Sequence, residues 1–339
     1  MLANRSPWVV AVVGAAAIAV VGLVAAGVGS IAISPIDTLK VLADHMLPVD
    51  IETSPVADPI IWNIRLPRIA AAIGAGLGLG LSGVALQGLF RNPVADPHLT
   101  GISSVASIGV LIGLLLGWSL WGPVGGVIGG AVAGGIGSLF VRVLARGGGA
   151  DSSRLILVGL GFGMAVTAIV ATASIAIRDP RVPDVEFWFV GGLSGATWGT
   201  ALWATTIAML ALAASLPAAR SLDVMSLGDT AAKNVGVDIN RVVPFTLLVT
   251  GLAVGAAVGA SGVVAFVGLV GAYVARWLVG PHHKRLLIGG AVAGAVFLVT
   301  SDAIGRLIGG RFDVPVGLVT AAIGGPFLVW LVATKRLTR

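Results

Sequence analysis

RLPRIAAAIGAGLGLGLSGVALQGLFRNPVADPHLTG, residues 65–101, holds one charge-free apolar run between two polar ends. The run from Ile69 to Phe90 is about 20 residues long, the length at which a helix crosses a hydrocarbon core of roughly 30 Å. Arg65 and Arg68 then belong at one membrane surface, and Arg91 and Asp96 at the other.

The rest of the chain repeats this pattern. It is 57% hydrophobic and 11% charged with a mean hydropathy of +1.02, where soluble domains carry about 25% charged residues. The 339 residues read as an all-α polytopic membrane protein of about ten transmembrane helices, a single domain over residues 1–339. The expected helices are Trp8–Val28, Trp62–Phe90, Gly101–Gly117, Val124–Leu144, Leu155–Ile177, Thr197–Leu216, Val242–Ala257, Val263–Val279, Leu286–Ile308 and Val314–Ala333. Trp8–Val28 has only Arg5 ahead of it and no small-residue cleavage site, so it reads as a retained span. The absence of cysteine excludes disulfides, thiolate metal sites and thiol catalysis.

Charge orients the chain. Ser30–Pro59 carries Asp37, Asp44, Asp50, Glu52 and Asp58 against Lys40, which places that loop outside. With both termini cytoplasmic and ten spans, 14 of the 21 Lys and Arg residues fall inside and 7 outside, as the positive-inside rule expects. The pI near 10.7 reflects cations scattered at span ends, and nucleic acid is rejected as a partner. Four outer cations, Arg65, Arg68, Arg306 and Arg311, form a basic rim that suits an acidic partner. Equally, they can snorkel to lipid headgroups or pair with Asp302 and Asp313, Asp302 and Arg306 being four apart on one helix.

On the inner side the longest polar segment is 218–241. Within it Leu227–Val237 reads as a short helix with Asp229 near its start and Gly236 at its end: either a packed loop or a docking element for a soluble partner. The 50 glycines crowd the spans, which predicts a tight bundle. They form no phosphate-binding loop, because none of Lys40, Lys233, Lys284 and Lys335 follows a glycine. Gly80-Leu-Ser-Gly-Val84 is echoed at Gly259-Ala-Ser-Gly-Val263 in a span of opposite direction, a hint of an inverted repeat. His98, His282 and His283 are expected at the cytoplasmic face, and His45 in the outer loop.

Arg65-Leu-Pro-Arg68, Ser82-Gly83, Gln87, Arg91-Asn92-Pro93-Val-Ala-Asp-Pro97 and Thr100-Gly-Ile102 closely resemble the FecCD-type permeases, the membrane subunits of bacterial ABC importers for vitamin B12, ferric siderophores and haem. The resemblance continues through Trp188–Trp198, Leu227–Val237, Ala265–Val270, Asp302–Arg306 and Val314–Pro326. It implies a type II ABC importer permease fold in the bacterial inner membrane, working as two copies with two cytoplasmic ATPase subunits and a periplasmic binding protein. Arg65, Arg68 and Arg306 match outer arginines that meet the binding protein, while Leu227, Gly228, Asp229, Ala232, Lys233 and Gly236 match the element that couples to the ATPase. The fifth helix and Phe187, Trp188, Gly191, Gly192 and Leu193 resemble the gate, and Gln87, Arg91, Asn92, Pro93 and Pro97 a structural motif. Gly271-Ala272-Tyr273 departs from the family's Pro-His, and with the proline goes an expected kink, although Gly271 still permits a bend.

The implied function is import of an iron chelate, haem ahead of siderophore and cobalamin behind, by a translocating subunit with no ATPase site or cofactor of its own. The rivals are an ion-coupled secondary transporter, for which Asp302 is the one candidate intramembrane carboxylate, and a membrane-embedded enzyme, for which no span carries the clustered His, Asp or Glu residues.

Overall fold

A computed structural model of the chain describes residues 6–334 apart from 30, 32, 49–50, 99, 145–151, 178, 181–189 and 311. The elements are α1 (Pro7–Gly27), α2 (Pro35–Met46), α3 (Ala57–Phe90), α4 (Ile102–Trp121), α5 (Val124–Leu144), α6 (Ser152–Ile177), α7 (Trp198–Ser215), α8 (Ala219–Met225), α9 (Asp229–Asn234), α10 (Ile239–Ser261), α11 (Val267–Val279), α12 (His283–Gly309) and α13 (Val316–Ala333). There is no strand among the described residues. Seven helices (α1, α3, α6, α7, α10, α12 and α13) have the length and apolarity of a membrane span, and α4, α5 and α11 contribute the shorter apolar stretches Ile102–Gly117, Val124–Phe140 and Val267–Val279.

α3 is the central element, buried along nearly all of its length after Leu66. Glycine sets how its neighbours approach. A Cβ added at Gly80 would lie 2.1 Å from the Gly290 carbonyl oxygen of α12, and one at Gly294 would lie 2.3 Å from that of Gly76. The contact is therefore backbone against backbone, in an antiparallel register that continues to the Arg91 end, where a Cβ at Gly88 would meet the His283 ring at 2.2 Å. The same device joins α4 to α5 through Gly109 against Gly129 and Gly113 against Gly125, and α5 to α10 through Gly130 against Gly255 and Gly134 against Gly251. Small residues allow such approach, and van der Waals contact supplies the attraction that hydrophobicity cannot supply between helices in lipid.

Three features depart from the sequence expectation. The 30–59 loop contains helix α2, begun by Ser34, whose Oγ accepts from the Asp37 backbone N–H at 3.0 Å while Pro35 takes the first helical position. α3 begins earlier than Trp62, and its first turns include a π stretch over Ile60–Arg65. The helix expected over 263–279 starts at Val267 and is too short to cross a membrane alone. Gly262 and Phe266 both take positive φ (67° and 69°), which ends α10 and turns the chain before α11 begins. Beyond that turn α11 runs unbroken through Gly271-Ala272-Tyr273, so no kink replaces the missing proline.

Gly80→Val should lower the thermal stability of the purified protein by at least the roughly 1–3 kcal/mol of an overpacked contact. Gly161→Ala, in α6 with open space around the added methyl, should leave the midpoint unchanged. Unfolding monitored by size-exclusion chromatography after heating distinguishes the two.

Candidate functional site

The α3–α12 register carries charge to one end of the bundle. Arg68 lies eight residues before Gly76 and Asp302 eight after Gly294, so the two side chains meet: Arg68 Nε donates to Asp302 Oδ1 at 2.7 Å. Its Nη1 and Nη2 donate to both oxygens of Asp313 at 2.9 and 2.8 Å. Arg306 Nε donates to the other oxygen of Asp302 at 3.0 Å, and its Nη1 to the Val28 carbonyl at 2.8 Å. Arg65 donates to the carbonyls of Ala26, at 2.7 Å, and Ile31. Asp302, 1% exposed, is thus neutralised from two sides, and Arg65 and Arg306 tie the end of α1 to the network.

The pairing of Asp302 with Arg306 that the four-residue spacing allowed is present, and the three arginines are buried or nearly so. They are not sealed. A pocket of about 270 Å³ opens on them, walled by Ile60, Ile64, Phe312 and Asp313 together with Arg65, Arg68 and Arg306. Arg306 Nη2 is buried and has no hydrogen-bond partner among the described residues. A buried guanidinium nitrogen with a spare N–H is costly, and a carboxylate oxygen is its natural complement.

The other end of α3 is built by the Gln87–Pro97 motif. Arg91 ends the helix in the left-handed conformation (φ 50°), and its N–H and that of Asn92 return to the Gln87 carbonyl. Asn92 Oδ1 accepts from Val94 N–H, and the Pro97 carbonyl accepts from Thr100 Oγ1. Pro93 occupies the turn between them. Gln87 Oε1 accepts from Arg276 Nη2 at 3.1 Å, which binds α3 to α11. Asp96 lies at this end of the bundle, where the sequence places it. It is buried, and its two oxygens accept from the His98 N–H at 2.9 Å and from the Leu269 N–H at 3.1 Å, at the open N-terminus of α11. Burial holds this carboxyl above the usual carboxylate range, against the lowering pull of those two N–H groups.

The 218–241 segment folds as α8 and α9 at this end. Gly228 and Gly236 adopt φ of 114° and 86° on either side of α9. Ala232 is buried beneath it, and Lys233, Leu227 and Val235 point outward. Asp229 pairs with Arg91 at 3.0 Å and so faces the chain's own motif loop. Asp223 of α8 accepts from both the backbone N–H and the Nδ1 side of His283, at 2.9 and 2.7 Å, locking the segment to the start of α12. Sequence reasoning had no signal for that latch beyond a histidine pair beside a helix start.

His98 lies in the 91–101 loop, at the end of the bundle where the sequence places it. Its loop is drawn inward because Gly101 lies against Gly159 and Gly163 of α6. The imidazole lines a cavity of about 290 Å³ with Ser104, Leu160, Gly163, Met164 and Thr167. Its Nδ1 is buried and has no hydrogen-bond partner among the described residues. Of the expected gate, Phe187 and Trp188 lie outside the described residues. Gly191 takes φ 69° against Val264, Gly192 N–H donates to the Ser261 carbonyl, and Leu193 is fully buried.

Residues 17–334 match the FecCD transport family. The chain belongs to that family. This FecCD protein is 37% identical over 283 residues to the hemin transport system permease of Yersinia pestis, covering 82% of this chain and 85% of that one. It is 32% identical to a probable siderophore transport system permease of Bacillus subtilis, across 98% and 97% of the two chains. With the vitamin B12 import permease of Vibrio cholerae the identity is 33% over 82% and 84%. A solved structure described as an inward-facing metal-chelate type ABC transporter superposes with a TM-score of 0.78 at 26% identity, over 97% of this chain and 100% of the other.

Asp302→Asn should strip both Arg68 and Arg306 of their shared partner and cost about 3–5 kcal/mol, the penalty for breaking a buried ion pair from one side. Asp313→Asn, whose carboxylate is 43% exposed, should cost distinctly less. Comparing the two thermal midpoints checks the order.

Proposed function

We propose that this FecCD protein is the membrane-spanning permease of a binding-protein-dependent ABC importer, moving an iron chelate into the bacterial cytoplasm as a homodimer while ATP is hydrolysed in two separate subunits. The arginine end faces outward and the 218–241 segment inward, so that both termini are cytoplasmic and residues 1–339 form one transmembrane domain. The observation that carries this reading is the pocket of about 270 Å³ lined by Arg65, Arg68 and Arg306. A glutamate or aspartate presented by a soluble binding protein would meet the positive potential of that pocket while the Asp302 network keeps the guanidinium groups in place.

Several features support the remaining parts. Leu227 and Val235 are 76% and 71% exposed at the two ends of α9, an apolar pair that an ATPase groove would cover, with Lys233 beside them. α6 exposes Leu157, Met164 and Ile175 along one face, suited to the second copy and the pathway between copies, with Gly191–Leu193 at its gate. Asp302, held by two arginines, is a poor proton relay, which disfavours the ion-coupled alternative. The permease itself forms no covalent intermediate.

Haem stands ahead of siderophore and cobalamin. The Yersinia relative is named for hemin, and His98 gives the α4–α6 cavity an imidazole. Haem iron takes axial histidine, whereas iron wrapped by six siderophore oxygens has no position to offer.

Ile64→Glu places a carboxylate at the wall of the arginine pocket, where it competes with an incoming acidic group while every member of the ion network is retained. It should weaken binding-protein docking on the order of ten-fold, most strongly at low salt, in surface plasmon resonance with the permease in nanodiscs. Unchanged affinity would remove the docking role. Val235→Glu should in turn detach or uncouple the ATPase in a pull-down and hydrolysis assay, while leaving docking intact.

A further inference from the structure

Outside the transport machinery, the junction of α2 and α3 gathers three metal-ligating side chains. His45 Nε2 lies 2.8 Å from Asp58 Oδ1, and one donor atom from each of Asp44, His45 and Asp58 falls within 4.8 Å of the others. The groups come from different elements, the last turn of α2 and the first turn of α3. Two carboxylates converge here with no lysine or arginine paired to either among the described residues, unlike Asp302 and Asp313, which meet arginines. The histidine is pre-oriented: its ring stacks on Trp62 at 4.1 Å and 7°, and the Trp62 carbonyl is held by Trp198 Nε1 at 3.1 Å. Asp44 is fixed through one oxygen, which accepts from the Ile51 N–H at 3.0 Å.

We propose that Asp44, His45 and Asp58 bind one divalent transition-metal ion of the zinc class, clasping α2 to the start of α3. One imidazole nitrogen and two carboxylate oxygens suit Zn²⁺ or its borderline neighbours. The imidazole disfavours Mg²⁺ and Ca²⁺, and the lack of sulfur disfavours Cu⁺. An ion about 2.1 Å from each tetrahedral ligand spaces them roughly 3.4 Å apart. That value lies between the observed 2.8 Å contact and the 4.8 Å limit, so side-chain rotation closes the site. His45 and Asp58 are 30% and 32% exposed, which lets the ion arrive from solvent and leaves the fourth position to water. The clasp would stiffen the turns of α3 that carry Ile60 and Ile64, two walls of the arginine pocket. It does not depend on what the protein transports.

The test uses the full-length, untagged protein in nanodiscs, stripped with chelator and titrated calorimetrically with Zn²⁺, with Mg²⁺ in parallel. One Zn²⁺ per chain and no Mg²⁺ binding are expected. His45→Ala and the near-isosteric Asp58→Asn should each weaken Zn²⁺ at least ten-fold while eluting as folded protein, and Zn²⁺ should raise the thermal midpoint of the parent but not of His45→Ala. Absence of binding, or binding that survives both substitutions and is lost in His282→Ala, would overturn the assignment.

Discussion

The rest of the structure depends on how closely α3 and α12 approach. Because Gly76, Gly80, Gly290 and Gly294 carry no side chains, the two backbones touch, and their antiparallel register is fixed along the whole length of the pair. That single register delivers His283 to Gly88 at one end and Asp302 to Arg68 at the other. Charged groups far apart in sequence are thereby brought to bonding distance in a setting where an unpaired charge would be very costly. The ion network needs the helix contact to form it, and the helix contact leaves no freedom for the network to form elsewhere.

The network in turn decides what the arginines can do. Arg68 is wholly committed to Asp302 and Asp313, and Arg65 to one carbonyl in the last turn of α1 and one just beyond it, so neither is a free surface cation. Together with Arg306 they line an electropositive pocket that the network holds in place. Rigidity of this kind lowers the ordering cost of docking. At the other end, the Arg91–Asp229 pair and the Asp223–His283 latch attach a short polar segment to α3 and α12, so that movement of α8 and α9 is passed to the same two helices.

Much of this was legible in the chain itself. Seven of the ten expected runs stand as helices of span length and apolarity, because each is long and poor in charge, and the spacing of Asp302 and Arg306 on one helix allowed their pairing. Asp229 and Gly236 marked the start and the end of the short inner helix. What escaped was nonlocal or conformational. Ser34-Pro35-Ile36-Asp37 carried a helix-start signal that a charge-based reading of an outer loop passed over. Nothing local showed that Asp96 would cap α11, that the 91–101 loop would fold back against α6, or that His98 would thereby enter a cavity. Those outcomes depend on Phe266 adopting a left-handed backbone and on glycine contacts between distant segments.

The most direct test of the account is ATP-dependent uptake into proteoliposomes that hold this permease, the ATPase encoded beside it and the partner binding protein, with haem, a ferric siderophore and cobalamin offered in parallel. The account predicts accumulation of haem that needs all three components and ATP. Accumulation by the permease alone under an ion gradient would contradict the mechanism, and three-component uptake of cobalamin or siderophore without haem would contradict the substrate.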